Sequence, residues 1–196
     1  MNRTSTARDW VMAQPPGTYF STSDVPGTRG SADSTLSRLA APGGPIQRVR
    51  QGVYWRTSAP TRFGSTRPDP AQVAIVAAGP GAGLGGASAA NSVGMSTQVP
   101  RRPHIAVVGR APKGLAGVQM TARSNPHRVL LSPFEVAVLE SLRDFDRYAD
   151  IPWPQARRRL RQLAANGEID LIKVADVAAR ERGAGLRDRI ADLVGS

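Results

Sequence analysis

The sequence predicts an α+β fold in two parts, and three observations lead there. Short helical segments broken by proline and glycine precede two β-prone runs within the first 60 residues. A proline- and serine-rich stretch follows at 57–70. Beyond it helical and extended signals alternate, and from Ser132 onward the chain reads as helix. The expected parts are 1–60, a linker at 61–70, and a mixed α/β part at 71–196 that ends in helices.

The elements of the first part can be justified in order. Thr6–Ala13 suits a helix that places Trp10, Val11 and Ala7 or Ala13 on one side, and Pro15-Pro16-Gly17 stops it. Tyr19-Phe20 reads as a short extended piece. The hydroxyls of Ser21, Thr22 and Ser23 can cap a second short helix through Asp24 and Val25, which Pro26-Gly27 ends. Gly30–Ala40 reads as a third helix with Ala32, Leu36 and Leu39 on one face. Its opposite face carries Ser34, Ser37 and Arg38, with Ser31 beside them and Arg29 at its entry. Pro42-Gly43-Gly44-Pro45 breaks it, and Ile46–Arg56 then supplies β-prone Ile46, Val49, Val53 and Trp55 around a turn at Gly52. Arg48, Arg50 and Arg56 interleave with them.

Helix, helix, helix and basic hairpin is the order of a winged helix-turn-helix. Small serines let a helix backbone approach base edges in a major groove about 12 Å wide, and a long arginine adds reach. An adjacent hairpin can set cations against the flanking backbone. The candidate DNA-binding residues are therefore Arg29, Ser31, Ser34, Ser37, Arg38, Arg48 and Arg50. Read blandly, the serines would be a solvated helix face and the arginines a charged strand edge.

In the second part, Asp69-Pro70 opens a helix carrying Val73, Ile75 and Val76. The glycine-rich run Gly79–Gly86 lacks the preceding strand and the Gly-Lys-Ser or Gly-Lys-Thr of a phosphate loop, so a flexible interhelical turn is expected there. A small-residue helix should cover Ala87–Met95. Strands are expected at His104–Val108 and Val118–Ala122 around a Gly/Pro/Lys turn, with a third at His127–Leu131. Helices should follow from Pro133, from Trp153 to Gly167, and on to Val194. Arg157, Arg158, Arg159 and Arg161 are expected on a solvated face, phosphate contact being the alternative. Met95 and Trp153 should pack in the core, and Asp144, Asp146 and Asp150 mark a polar helix end.

Charge and composition bound the function. The chain has 26 Lys+Arg against 15 Asp+Glu, a formal charge of +11. Residues 1–67 hold nine arginines and three aspartates, whereas residues 129–196 hold 11 basic and 11 acidic residues. A basic first part favours a polyanion partner. With no cysteine, disulfides and thiolate metal sites are excluded. His104 and His127 have no metal-ligand spacing with acids, and no Gly-x-Ser-x-Gly elbow occurs, so neither an enzyme nor a cofactor is expected. No apolar run approaches a membrane span or a signal peptide, and a cytoplasmic protein without membrane contact is the expectation.

Two stretches carry a family resemblance. The first is Thr35-Leu36-Ser37-Arg38-Leu39 followed by Ile46–Tyr54. The second is the helix–glycine–helix run Gly86–Pro100, with Gly94 at its centre. Together they resemble AbiEi-type abortive-infection antitoxins and their winged-helix transcriptional-regulator relatives. The resemblance spans most of residues 5–145, and Pro42-Gly43-Gly44-Pro45 departs from its pattern. It implies the antitoxin of a type IV toxin–antitoxin system. Such a protein binds inverted repeats in its own promoter, represses its operon and counteracts a nucleotidyltransferase-like toxin, directly or indirectly. It also implies that Ser34, Ser37, Arg38, Arg48 and Arg50 meet DNA. Two other readings stay open: a transcriptional regulator, or a protein- or RNA-binding module, without a toxin partner.

Overall fold

Thr6 starts the first helix. Its hydroxyl accepts the Asp9 N–H, and the Asp9 carboxylate accepts the Thr6 N–H, so two end donors are satisfied reciprocally. In the computed structural model, which describes residues 6–57 and 67–195, this capping box opens α1 (Ala7–Ala13). The chain divides into two units, Met1–Ala77 and Ala78–Ser196. It is α+β, with small sheets of three strands each.

In the first unit, β1 (Tyr19–Ser21), α2 (Arg29–Leu39), β2 (Ile46–Arg50) and β3 (Val53–Arg56) follow α1. The second expected helix is a single 3-10 turn over Thr22–Asp24. Four residues between it and α2, including Pro26 and Gly27, leave it no room to extend. The extended piece at Tyr19 does more than connect. It pairs antiparallel with β3, giving the sheet order β1-β3-β2. One face of that sheet presents Phe20, Ile46 and Tyr54 to Ala7, Val11, Val25, Ala32 and Leu36. Phe20 stacks on Tyr54 at 6.0 Å and meets Trp10 edge-on at 5.4 Å.

The expected linker at 61–70 lies largely outside the described residues. The helix after it, α3 (Pro70–Ala78), falls with the first unit up to Ala77 rather than opening the second. Just before it, Tyr19 Oη accepts the Asp69 N–H at 2.5 Å.

The second unit is built around α5 (Pro133–Arg143). Ser132 and Glu135 form its capping box, and every residue from Glu135 to Leu142 is buried. The helix is thus enclosed on all sides rather than along one stripe. α4 (Gly86–Ser92), α6 (Phe145–Tyr148), α7 (Trp153–Ala165), α8 (Leu171–Ala178) and α9 (Ala184–Val194) complete the helices. Met95, Leu139, Leu142 and Leu160 are fully buried in their common core. Trp153 packs against that core and its Nε1–H donates to Asp192 at 2.7 Å.

Three expectations for this unit are corrected. The glycine run is not a flexible turn. It contains β4 (Gly83–Leu84), paired antiparallel with β5 (His104–Val108). A Cβ on Gly83 would stand 2.7 Å from Val136 Cβ, so this glycine is there for close packing on α5. The Gly/Pro/Lys stretch does not reverse the chain either, because β5 and β6 (Gln119–Arg123) run parallel and the intervening residues carry the chain back along the strand. Finally, Pro126–Leu130 is a 3-10 helix and not a third strand. Asn125 Oδ1 accepts the His127 N–H at 3.0 Å, and Pro126 follows the cap, both of which favour helix over strand.

Candidate nucleic-acid interface

α2 begins at Thr28, whose hydroxyl accepts the Ser31 N–H at 3.4 Å. Ala32 and Leu36 are buried, which fixes the rotation of the helix about its axis. The opposite face follows from that: Ser31, Ser34, Ser37 and Arg38 are all exposed, as is Arg29 in the first turn. Arg38 lies back along its own helix, with Nε donating to the Ser34 carbonyl and Nη2 to Thr35 Oγ1, both at 3.4 Å. Bonds this long and exposed are readily exchanged for an anionic acceptor.

Clefts flank α2 on two sides. On one, Arg38, Ser31 and Thr35 share a groove of about 610 Å³ with Arg8 of α1. On the other, Arg29 lines a cleft of about 410 Å³ with Ser21, Thr22, Ser23 and Gly52. Arg8 escaped the sequence reading because α1 was read only for its apolar side. Its position next to α2 depends on how the two helices pack.

The hairpin does not present its arginines as a row. Arg48 lies opposite Tyr54, but Arg50 lies opposite Val53, with a bulge between them at Val49. Neighbouring strand residues point to opposite faces. Arg48 therefore shares the Tyr54 face, on which α2 packs, and is exposed. Arg50 goes to the other face with Val53, is half-buried, and has its Nη1 shut away from water. Arg56 is also used internally, its Nη1 donating to the Pro45 carbonyl at 2.7 Å. The hairpin tip is tied down: the Gly52 carbonyl accepts the Thr22 N–H at 3.0 Å, and Gly52 itself turns the chain with φ +73°.

In the other arginine run Arg158 and Arg159 are exposed and Arg157 and Arg161 partly so, in line with a solvated face. Arg157 pairs with Asp192 at 2.8 Å, Arg159 donates to the Val93 carbonyl, and Arg161 donates to the Leu193 carbonyl at 3.3 Å. Three of the four thus bind acceptors near the ends of other segments, where a cation also complements the helix dipole. Asp150 does likewise for the segment after α4, accepting the Thr97 N–H and the Ser96 hydroxyl, each at 2.8 Å. Those bonds hold its carboxyl below the ordinary aspartate range.

A cluster of charges in the second unit was missed altogether. Glu140, fully buried, accepts Arg123 Nε at 2.9 Å, Arg123 Nη2 at 2.5 Å and Arg128 Nη2 at 2.6 Å. Arg128, also fully buried, reaches Glu181 through Nε at 2.6 Å, and Arg143 pairs with Glu181 from the other side. Burial pushes the Glu140 carboxyl up, but Arg123 and Arg128 outweigh it and hold the group below the ordinary range. The one available signal was a glutamate inside the apolar run Val136–Leu142. Among the described residues no three His, Asp or Glu side chains gather as a metal would require. No helix there is long and apolar enough to cross a membrane.

Among solved structures, that of the RV2827C protein from Mycobacterium tuberculosis is similar to this chain, at 16% identity and a TM-score of 0.41, over 96% of this chain and 74% of that one. No family model matches the chain, and no curated protein does.

Proposed function

We propose that the first unit is a winged helix that binds duplex DNA, and that the protein is an antitoxin which represses its own operon. The observation that carries the DNA reading is the face of α2. Ser31, Ser34, Ser37 and Arg38 stand exposed there, and Arg48 rises on the same side of the neighbouring hairpin. α2 enters the major groove, its serines allow close approach, and Arg38 and Arg29 reach phosphate or base edges. Arg48 grips the flanking backbone. The short, tethered hairpin confines that contact to the phosphates next to the groove. The resemblance of Thr35–Tyr54 and Gly86–Pro100 to AbiEi-type antitoxins supports the second half of the proposal, a nucleotidyltransferase-like toxin as the partner counteracted.

Fluorescence anisotropy with a duplex from the protein's own promoter, a random duplex and a single-stranded RNA tests the DNA reading. Tighter binding to the promoter, falling steeply with salt, is the expected result. Equal binding to both duplexes at every salt concentration, or preference for the RNA, overturns it. Co-expression with the product of an adjacent nucleotidyltransferase-like gene tests the antitoxin reading. Restored growth is expected, and unrelieved toxicity refutes that half while leaving DNA binding untouched.

A further inference from the structure

We infer that the second unit holds a binding site for a phosphoryl group on a small molecule, in the cleft between the β6–Pro126 turn and the α8–α9 turn. The cleft has a volume of about 480 Å³, and Arg123, Arg143, Arg180, Arg182 and His127 line it along with a single acid, Glu181. That size suits a phosphate with a nucleoside-sized body attached.

The charge balance makes it an anion site. Glu140 and Glu181 pair with Arg123, Arg128 and Arg143, Asp144 adds its charge nearby, and Arg180 and Arg182 line the same cleft, so five guanidinium groups face three carboxylates. Donors outnumber acceptors even inside, where Arg128 Nη1 and Arg143 Nε are buried with no hydrogen-bond partner. Arg123 spends Nε and Nη2 on Glu140, which leaves Nη1 without a protein acceptor among the described residues. At the rim, Arg180 makes one bond of 3.2 Å to the Asp176 carbonyl. The Arg182 side chain makes no hydrogen bond or ion pair among the described residues, although its backbone carbonyl accepts Arg143 Nη1 at 3.2 Å. Both rim residues are exposed.

Buried cations in excess focus a positive field into a partly enclosed cleft. Guanidinium forks match a tetrahedral oxyanion and can bind it bidentately. The inner arginines are held rigidly by their carboxylates, so little ordering is needed when an anion arrives. Arg180 and Arg182 close on it from outside.

The test is a calorimetric titration of the full chain with inorganic phosphate and, separately, with AMP, at constant ionic strength set with sodium chloride. Saturable binding of either is expected, with AMP tighter if the phosphoryl group is carried on a nucleoside and phosphate equal to it if the free ion is the ligand. The variant carrying Arg180→Ala and Arg182→Ala changes only exposed side chains and should keep its fold, checked by circular dichroism. It should bind each probe about tenfold or more weakly. Arg38→Ala should bind them as the parent does, which separates this site from the DNA reading. No saturable binding of either probe overturns the inference. So does equal binding by the double variant, or a double variant that loses only DNA affinity.

Discussion

Arg48 and Arg50 are two positions apart in sequence, yet one is exposed on the α2 side of its sheet and the other is half-buried on the far side. Their substitutions should therefore differ. Arg48→Ala should weaken every duplex alike and lower the slope of log affinity against log salt by about one. Arg50→Ala should leave DNA affinity within twofold and instead lower the midpoint of thermal unfolding. Arg38→Ala should weaken promoter binding by about 1–3 kcal/mol and relax discrimination at the base it reads. Anisotropy on matched and mutated duplexes checks all three; identical behaviour of the two hairpin variants would mean that the bulge does not separate them in solution. Sequence reasoning placed all seven candidate side chains within the first unit and most of them at the surface. It could not divide Arg48 from Arg50, because a bulge changes facing by one residue and leaves no mark in composition.

Helices were the legible elements, since capping residues and apolar spacing are local properties. Thr6, Ser132 and Gly167 mark helix ends where expected. Strands were less so. Tyr19–Ser21 becomes a strand only because β3, more than thirty residues later, offers it a partner. The glycine run misled in the same way: its small residues reflect the backbone of α5 pressing on β4, a contact no local pattern records. Gly83→Ala makes that contact measurable. The added methyl meets Val136 and the Pro133 carbonyl, and the second unit should lose about 1–3 kcal/mol in a urea titration, as overpacked sites do. An unchanged midpoint would return the run to the role of a loose turn.

Across the whole molecule, the basic total of +11 hides two arrangements. In the first unit the arginines of α2 and Arg48 stand exposed, whereas in the second many are spent on carbonyls and carboxylates. Counting residues could not separate these, because the pairing of Glu140 with Arg123 and Arg128 joins positions 12 and 17 apart. The pairing has a pH signature. Glu140 is held below its ordinary value of 4.5, and Glu135, where burial acts against Lys173 and backbone donors, is also lowered. Stability from a depressed carboxyl is complete above the unfolded value and is lost as pH falls through the folded one. Urea midpoints should hold steady above about pH 5 and fall with further acidification, and Glu140→Gln should flatten part of that fall. Glu140→Ala, which takes away the ion pair of Arg123 and leaves buried Arg128 with Glu181 alone, should cost about 3–5 kcal/mol at neutral pH. Chain length matters in another place. With Val49 deleted, β2 would run in unbroken alternation to its turn, and Arg48 and Arg50 would keep their partners Tyr54 and Val53 and their opposite faces. A hairpin one residue shorter would lose the bend and added twist of the bulge, and so the angle at which Arg48 leaves the surface would change while its strand partner stayed the same.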